Sequence, residues 1–258
     1  DDSTLYYNSY DIKSDYGWKE FINLMKTIDL DFQNIDSVLN VDRTLWAFAA
    51  NQVIANLDCY NTYYIHNYYM YQTKDGLFQM IPWDLDNSFV GAIMGWDYWN
   101  PSNVYEYDPY YTGGPYTGPS GTPQPWEARP LLFKLLNDPH YRKIYSAHMR
   151  TIIEESLDTA QIRANIDNLQ SLAYSAASQD NNKVFTMNEY YNNTESAIWA
   201  AFNWGFGGIL STVNERKQFL LNHPEISLSP PLIDNVNIIS TENIVTVQVS
   251  NANSVGVL

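Results

Sequence analysis

Residues 66–89 read HNYYMYQTKDGLFQMIPWDLDNSF. This stretch constrains the fold more than any other, because it alternates as a β-hairpin does. Tyr69 and Tyr71 fall on one face; Tyr68, Met70 and Gln72 fall on the other. The TKDG tetrapeptide at 73–76 supplies the turn, with Gly76 free to take positive φ. LFQMIPW returns as the second strand, and Pro82 ends its regular pairing. A two-stranded ribbon is marginal by itself, so the rest of the chain must supply a surface for one of its faces. The ribbon then ends in two carboxylates, Asp84 and Asp86, residues that strands disfavour.

The surroundings are mostly helical. LYYNSYDIK reads as a short strand over 5–13. SDYGWKEFINLMKTI follows, with Ser14 or Asp15 as cap and Trp18, Phe21, Ile22, Met25 and Ile28 at helical spacing. DLDFQNIDSVLN adds one or two helical turns. VDRTLWAFAANQVIANLD then predicts a buried helix over 43–57, capped by Asp42, with Leu45, Trp46, Ala49, Val53, Ile54 and Leu57 on a broad apolar face. Residues 90–128 are dominated by Gly, Pro and Tyr and form a long irregular segment. Its length marks it as functional or mobile, and its aromatic residues suggest a packed lid or a contact surface. From Arg129 the pattern is helical again, through RPLLFKLLNDPHYRKIYSAHMRTIIEESL, TAQIRANIDNLQSLAYSAAS and GGILSTVNERKQFLLNHPEI. Beyond a Pro230–Pro231 linker, NIVTVQVS alternates with period two. The expected architecture is α+β and mainly helical, with a central β-hairpin over 1–225. Residues 226–258 form a linker and the first strands of an incomplete C-terminal β-sandwich.

Composition excludes several partners. The net charge is −15, from 14 basic and 29 acidic residues, which argues against nucleic acid and anionic lipid as ligands. Cys59 is the sole cysteine, so the core holds the fold without an internal disulfide; it reads as a small buried filler. No run approaches the ~18 apolar residues of a transmembrane helix. A chain rich in Tyr, Asn, Trp and Thr and poor in Lys points to an exported protein.

The candidate chemistry lies in the acids. Asp58 follows the 43–57 helix, His66 and Asn67 open the first hairpin strand, and Asp84 and Asp86 close the second. Helix, loop and hairpin can bring these groups to one end of a sheet. Oxygen ligands of this kind suit Mg²⁺, Mn²⁺ or Ca²⁺, whereas one Cys and four scattered His offer no zinc spacing. The order of parts also resembles that of protein kinases: a loop Asp for the acceptor hydroxyl, an Asn for metal, a hairpin, then an Asp for the metal bridging the nucleotide phosphates.

The segment ANLDCYNTYYIHNYYMYQTKDGLFQMIPWDLDNSF closely resembles the signature of the spore coat protein H (CotH) kinase family, an atypical kinase-like group of secreted and spore proteins. Its N-x-D loop, HNYY strand, short turn and IPWDLD followed by an aromatic residue occur in that order. YDIKSD and the later helices add support, so the resemblance covers roughly residues 5–225. It implies a protein-kinase-like large lobe. It implies Asp58 as the base that orients the hydroxyl, and Asp84, Asn67 and Asp86 as metal residues, with Mg²⁺ (or Mn²⁺) and ATP as cofactors. The implied activity is transfer of the ATP γ-phosphate to Ser or Thr of a protein at an extracellular, cell-surface or spore-surface location. Asn67 departs from the pattern, since it lies nine residues after Asp58 where protein kinases use about five. The small lobe of a kinase, with its glycine-rich loop and Lys–Glu pair, has no counterpart before the first helix. The fragment alone is therefore expected to be inactive. The alternative is a non-catalytic extracellular or cellulosome-associated module holding a structural Ca²⁺.

Overall fold

The computed structural model describes residues 2–62, 65–89, 104–117, 122–124, 129–199, 205–228, 232–239 and 244–251. It is mainly helical, with small antiparallel sheets of two strands each.

The expected strand over 5–13 does not form. The Asp2 carboxylate accepts the Thr4 N–H at 3.0 Å, Ser3–Tyr6 wind into a 3-10 turn, and the Tyr6 carbonyl accepts from Ser9 and Tyr10 at 2.9 Å. Local capping thus satisfies backbone groups that a strand would have to pair. Helix α1 (Trp18–Leu30) forms as expected, but it is preceded by Gly17 at φ 128° rather than capped by Ser14 or Asp15. It buries Ile22, Leu24 and Ile28, while Met25 stays half-exposed. A 3-10 segment over Phe32–Ser37 leads to α2 (Val41–Val53). The Asn40 side chain caps α2 by accepting the Arg43 N–H at 3.0 Å. Asp42, the expected cap, instead lies 2.8 Å from His148 Nε2. The helix also ends four residues earlier than the pattern suggests.

The hairpin is as expected. Strand β1 (Tyr68–Gln72) pairs antiparallel with β2 (Phe78–Pro82), Tyr68 opposite Pro82 and Gln72 opposite Phe78. Its inner face enters the core through Phe78 and Met80. The segment leading into α2 holds β2 by its backbone: Phe78 N–H donates to Val38 O and Asn40 N–H donates to Phe78 O, both at 2.8 Å.

Part of the irregular segment is ordered against the same core. Tyr107 and Tyr110 are buried, and the Tyr110 hydroxyl lies 2.7 Å from Ser146 Oγ, so these aromatic residues pack on their own domain. A hairpin of β3 (Gly114–Thr117) and β4 (Thr122–Gln124) follows. Residues 90–103, 118–121 and 125–128 lie outside the described residues, as do Pro230 and Pro231.

Helices α3 (Pro130–Asn137) and α4 (Pro139–Ser156) are separated at Asp138, which caps α4 by accepting the His140 N–H at 2.8 Å. Leu131, Leu132, Leu135, Leu136, Tyr145, Met149 and Ile153 pack in the cluster that holds α2. Helix α5 (Thr159–Gln179) matches its periodicity but buries none of its residues; Leu172 is 81% exposed. A short α6 (Met187–Asn192), unmarked in the apolar pattern, is fixed by a capping box between Thr186 and Glu189. The two-residue strands β5 (Ile198–Trp199) and β6 (Gly205–Phe206) pair before α7 (Ile209–Asn222). Gly208 precedes α7 where a Cβ would lie 2.5 Å from Glu195 O, so only glycine permits this approach. Strands β7 (Leu232–Ile239) and β8 (Ile244–Ser250) form the last hairpin.

Candidate functional site

The site grows from the C-terminus of α2. The Asn56 N–H bonds Asn51 O at 2.9 Å and the Ala55 N–H bonds Gln52 O at 3.2 Å, with Ala55 at φ 51°. This is the Schellman arrangement, with alanine in the left-handed position that glycine normally takes. The turn reverses the chain early, so Asp58 stands in a loop rather than at a helix end.

Asp58 meets two of the other residues singled out in the sequence, Asn67 and His66. Its side chain is 21% exposed. Asn67 Nδ2 donates to Asp58 Oδ2 at 3.0 Å, and His66 Nδ1 lies 3.4 Å from Asp58 Oδ1. Both carboxylate oxygens therefore face the start of β1. Asn67 is left-handed at φ 49°, and its amide oxygen remains for another donor or a cation.

Asp84 reaches this region through the hairpin. The Trp83 N–H donates to Asn67 O at 3.0 Å, extending the ladder by one pair, and Asp84 follows at φ 49°. Asp84 is exposed and begins the 3-10 turn Leu85–Asn87. Asp86 lies exposed within that turn, and no bond in the structure ties it to Asp58 or Asn67. The chain then returns to its starting point: the Phe89 N–H donates to Ile54 O at 2.7 Å, with Phe89 at φ 52°. Four of the five non-glycine residues with positive φ among the described residues (Ala55, Asn67, Asp84 and Phe89) thus surround one loop-and-hairpin circuit. At Ala55 and Phe89 this backbone costs about 1–3 kcal/mol each, whereas Asn and Asp tolerate it.

Sequence reasoning missed the support beneath Asp58. Asn51, Gln52, Asn56, Asn61 and Thr62 are buried and hydrogen-bonded to one another or to nearby backbone. The one available signal was the density of Asn and Gln within an otherwise apolar stretch. Cys59 is buried among them, and desolvation pushes its thiol up to about 12, which removes it as a nucleophile. Arg216 of α7, 1% exposed, binds the end of α2 from behind. It donates to Gln52 O at 2.8 and 3.1 Å and to the Tyr105 and Tyr107 carbonyls at 2.6 Å each.

Among the described residues, no group of three or more His, Cys, Asp or Glu gathers as a cation site. A cation here would draw on Asp84 and on the Asn67 amide oxygen, with its remaining ligands from outside the protein. That donor set fits Mg²⁺, which commonly takes one or two carboxylates plus phosphate and water. No described helix is long and apolar enough to cross a membrane. The family model described as CotH kinase protein matches residues 1–220. No curated protein matches the chain.

Proposed function

This chain belongs to the CotH kinase family, and from that premise we propose that it is the large-lobe part of an enzyme that moves the γ-phosphoryl group of ATP to a Ser or Thr hydroxyl. The observation that carries the proposal is the bonded circuit from Asp58 through Asn67 to Trp83 and Asp84, with left-handed backbone at Asn67 and Asp84. Phosphoryl transfer depends on positioning and on neutralising charge, and this circuit ties the Asp58 carboxylate to the backbone that leads into Asp84. Asp58 orients the acceptor hydroxyl and takes its proton as the oxygen bonds to phosphorus and the bond to ADP breaks. Asp84 and the Asn67 amide oxygen would hold Mg²⁺ (or Mn²⁺), which would supply neutralising charge to the phosphates. Asp86, in the 3-10 turn that follows, is a further candidate carboxylate.

The outer face of the hairpin, where Tyr69, Tyr71, Ile81 and Trp83 are exposed, offers an apolar surface next to Asp84 for a nucleotide base or a covering lobe. The described residues are read as the large lobe, and by themselves are expected to transfer phosphate poorly. The β7–β8 hairpin exposes Leu232, Ile233, Val236 and Ile238, as the first strands of a β-sandwich would before their facing sheet is added. The acceptor is read as a protein at the cell or spore surface or outside the cell.

The test is transfer of labelled phosphate from ATP by the whole protein, its Asp58→Ala variant and its Asp84→Ala variant. Each variant is expected to lose at least ~10²-fold in rate. Unchanged transfer by both would sink the proposal.

A further inference from the structure

The loop that carries Asp58 is supported by buried amides as well as by apolar packing. Asn56 is 0% exposed, and its Oδ1 accepts the Asp58 N–H at 3.2 Å. Its Nδ2 donates to Asn51 Oδ1 at 3.2 Å, and Asn51 Nδ2 donates to Asn61 Oδ1 at 3.4 Å. Asn61 in turn donates to Phe48 O at 3.0 Å and accepts at its carbonyl from Gln52 Nε2 at 3.0 Å. The chain of bonds thus begins and ends on α2, with the Asp58 amide as its outermost member. A buried polar network of this kind is costly if incomplete and, when complete, specifies a single conformation.

We propose that Asn56 is a positioning residue for Asp58, a role that rests on the phosphoryl-transfer reading of the site. Asn67 fixes the Asp58 carboxylate at Oδ2, and Asn56 fixes its backbone two residues away. Together they set both ends of the side chain before substrate arrives, which is what a base aligned with a hydroxyl requires.

The experiment compares Asn56→Ala, Asn56→Ser and Lys134→Met in the whole protein. Serine retains an oxygen able to accept the N–H two residues on, but loses the donor to Asn51. Lys134 closes α1 by donating to Ile28 O and Asp29 O at 2.6 and 2.7 Å, so its loss reports general destabilisation away from the site. The expected result is a ~10²-fold fall in kcat for Asn56→Ala, with KM for ATP within about twofold. Asn56→Ser recovers roughly tenfold or more, and Lys134→Met stays near wild type. A kcat for Asn56→Ala within about threefold of wild type, or no recovery by serine, overturns the proposal. Hydrogen exchange of the Asp58 amide is followed in the same variants without ATP. Protection lost in Asn56→Ala and regained in Asn56→Ser supports the positioning role; protection unchanged in Asn56→Ala overturns it. If wild type and Asp58→Ala transfer phosphate equally, the phosphoryl-transfer reading falls, and exchange alone then decides whether Asn56 positions Asp58.

Discussion

Replacing Arg216 by Met tests the view that the end of α2, and with it the Asp58 loop, is held from behind by a buried cation. Methionine keeps most of the stem's packing and removes the guanidinium fork. The carbonyls of Gln52, Tyr105 and Tyr107 then lose buried donors. An orphaned buried carbonyl costs ~1–3 kcal/mol, so three amount to about 6 kcal/mol. Relief of desolvation opposes this. Burial pushes the Arg216 guanidinium down to about 10, so its charge is held at a cost on the order of 3 kcal/mol, which Met avoids. The net expectation is about 3 kcal/mol of destabilisation. At ~2–4 °C per kcal/mol for a domain of this size, Tm falls by roughly 6–12 °C in calorimetry or thermal circular dichroism. Arg216→Lys, whose ammonium cannot fork to three carbonyls, should lose about half as much. A Met variant that melts within ~2 °C of wild type would refute the reasoning, since it would show that the three carbonyls find other donors or that the buried charge costs as much as its bonds return.

Two further perturbations probe other parts of the fold. Gly208→Ala places a Cβ 2.5 Å from Glu195 O and 2.6 Å from Ser196 N, both backbone atoms, so α7 must shift; a loss of ~2–4 kcal/mol is expected by denaturant titration, and a loss under ~0.5 kcal/mol would show that the approach relaxes freely. His148 stacks on Trp46 at 4.0 Å, and desolvation holds its imidazole below the ordinary range despite the Asp42 carboxylate. Its neutral form is therefore favoured by folding, and its share of stability is present above the unfolded value near 6.5 and lost as pH falls through the lower folded value. Tm is expected to drop between about pH 7 and 5, and His148→Phe should flatten that slope; an equally steep slope in the variant would assign it to other groups.

The hairpin was legible because three signals agree there: period two, a TKDG turn with Gly76 at φ 89°, and a proline at the end of the pairing. The register that places Trp83 opposite Asn67 follows from the same signals. The end of α2 was not legible, because Ala55 takes a conformation for which glycine is the usual sign, and apolar residues continue to Leu57 as though the helix did. The strand expected at 5–13 failed for a related reason: Tyr-rich alternation resembles a strand, but Asp2 caps a turn and no pattern in the sequence weighs the two. Periodicity gave α5 an apolar side without saying whether anything covers it, and the structure leaves Leu169 and Leu172 exposed. In the site, Asp58, Asn67 and Asp84 were named from a motif. That Asn67 bonds Asp58 directly depends on Ala55 turning the loop back, which composition cannot express.

The left-handed residues mark where the chain turns around the end of α2. Ala55 reverses the chain out of α2, Asn67 turns it into β1, Asp84 turns it out of β2, and Phe89 returns it to Ile54. Ala55 and Phe89 have side chains that disfavour this backbone and are held by the bonds on either side, whereas Asn67 and Asp84 are of the residue types that tolerate it. The circuit closes on the carbonyl of Ile54, the residue that ends α2, and α2 is fixed by the core on one side and by Arg216 on the other. Asp58 and Asp84 are therefore referenced to the same helix end, one through the amide network and one through the hairpin. A chain with a single buried cysteine has no disulfide to impose that geometry. The geometry rests instead on four turns that share one anchor at the end of α2.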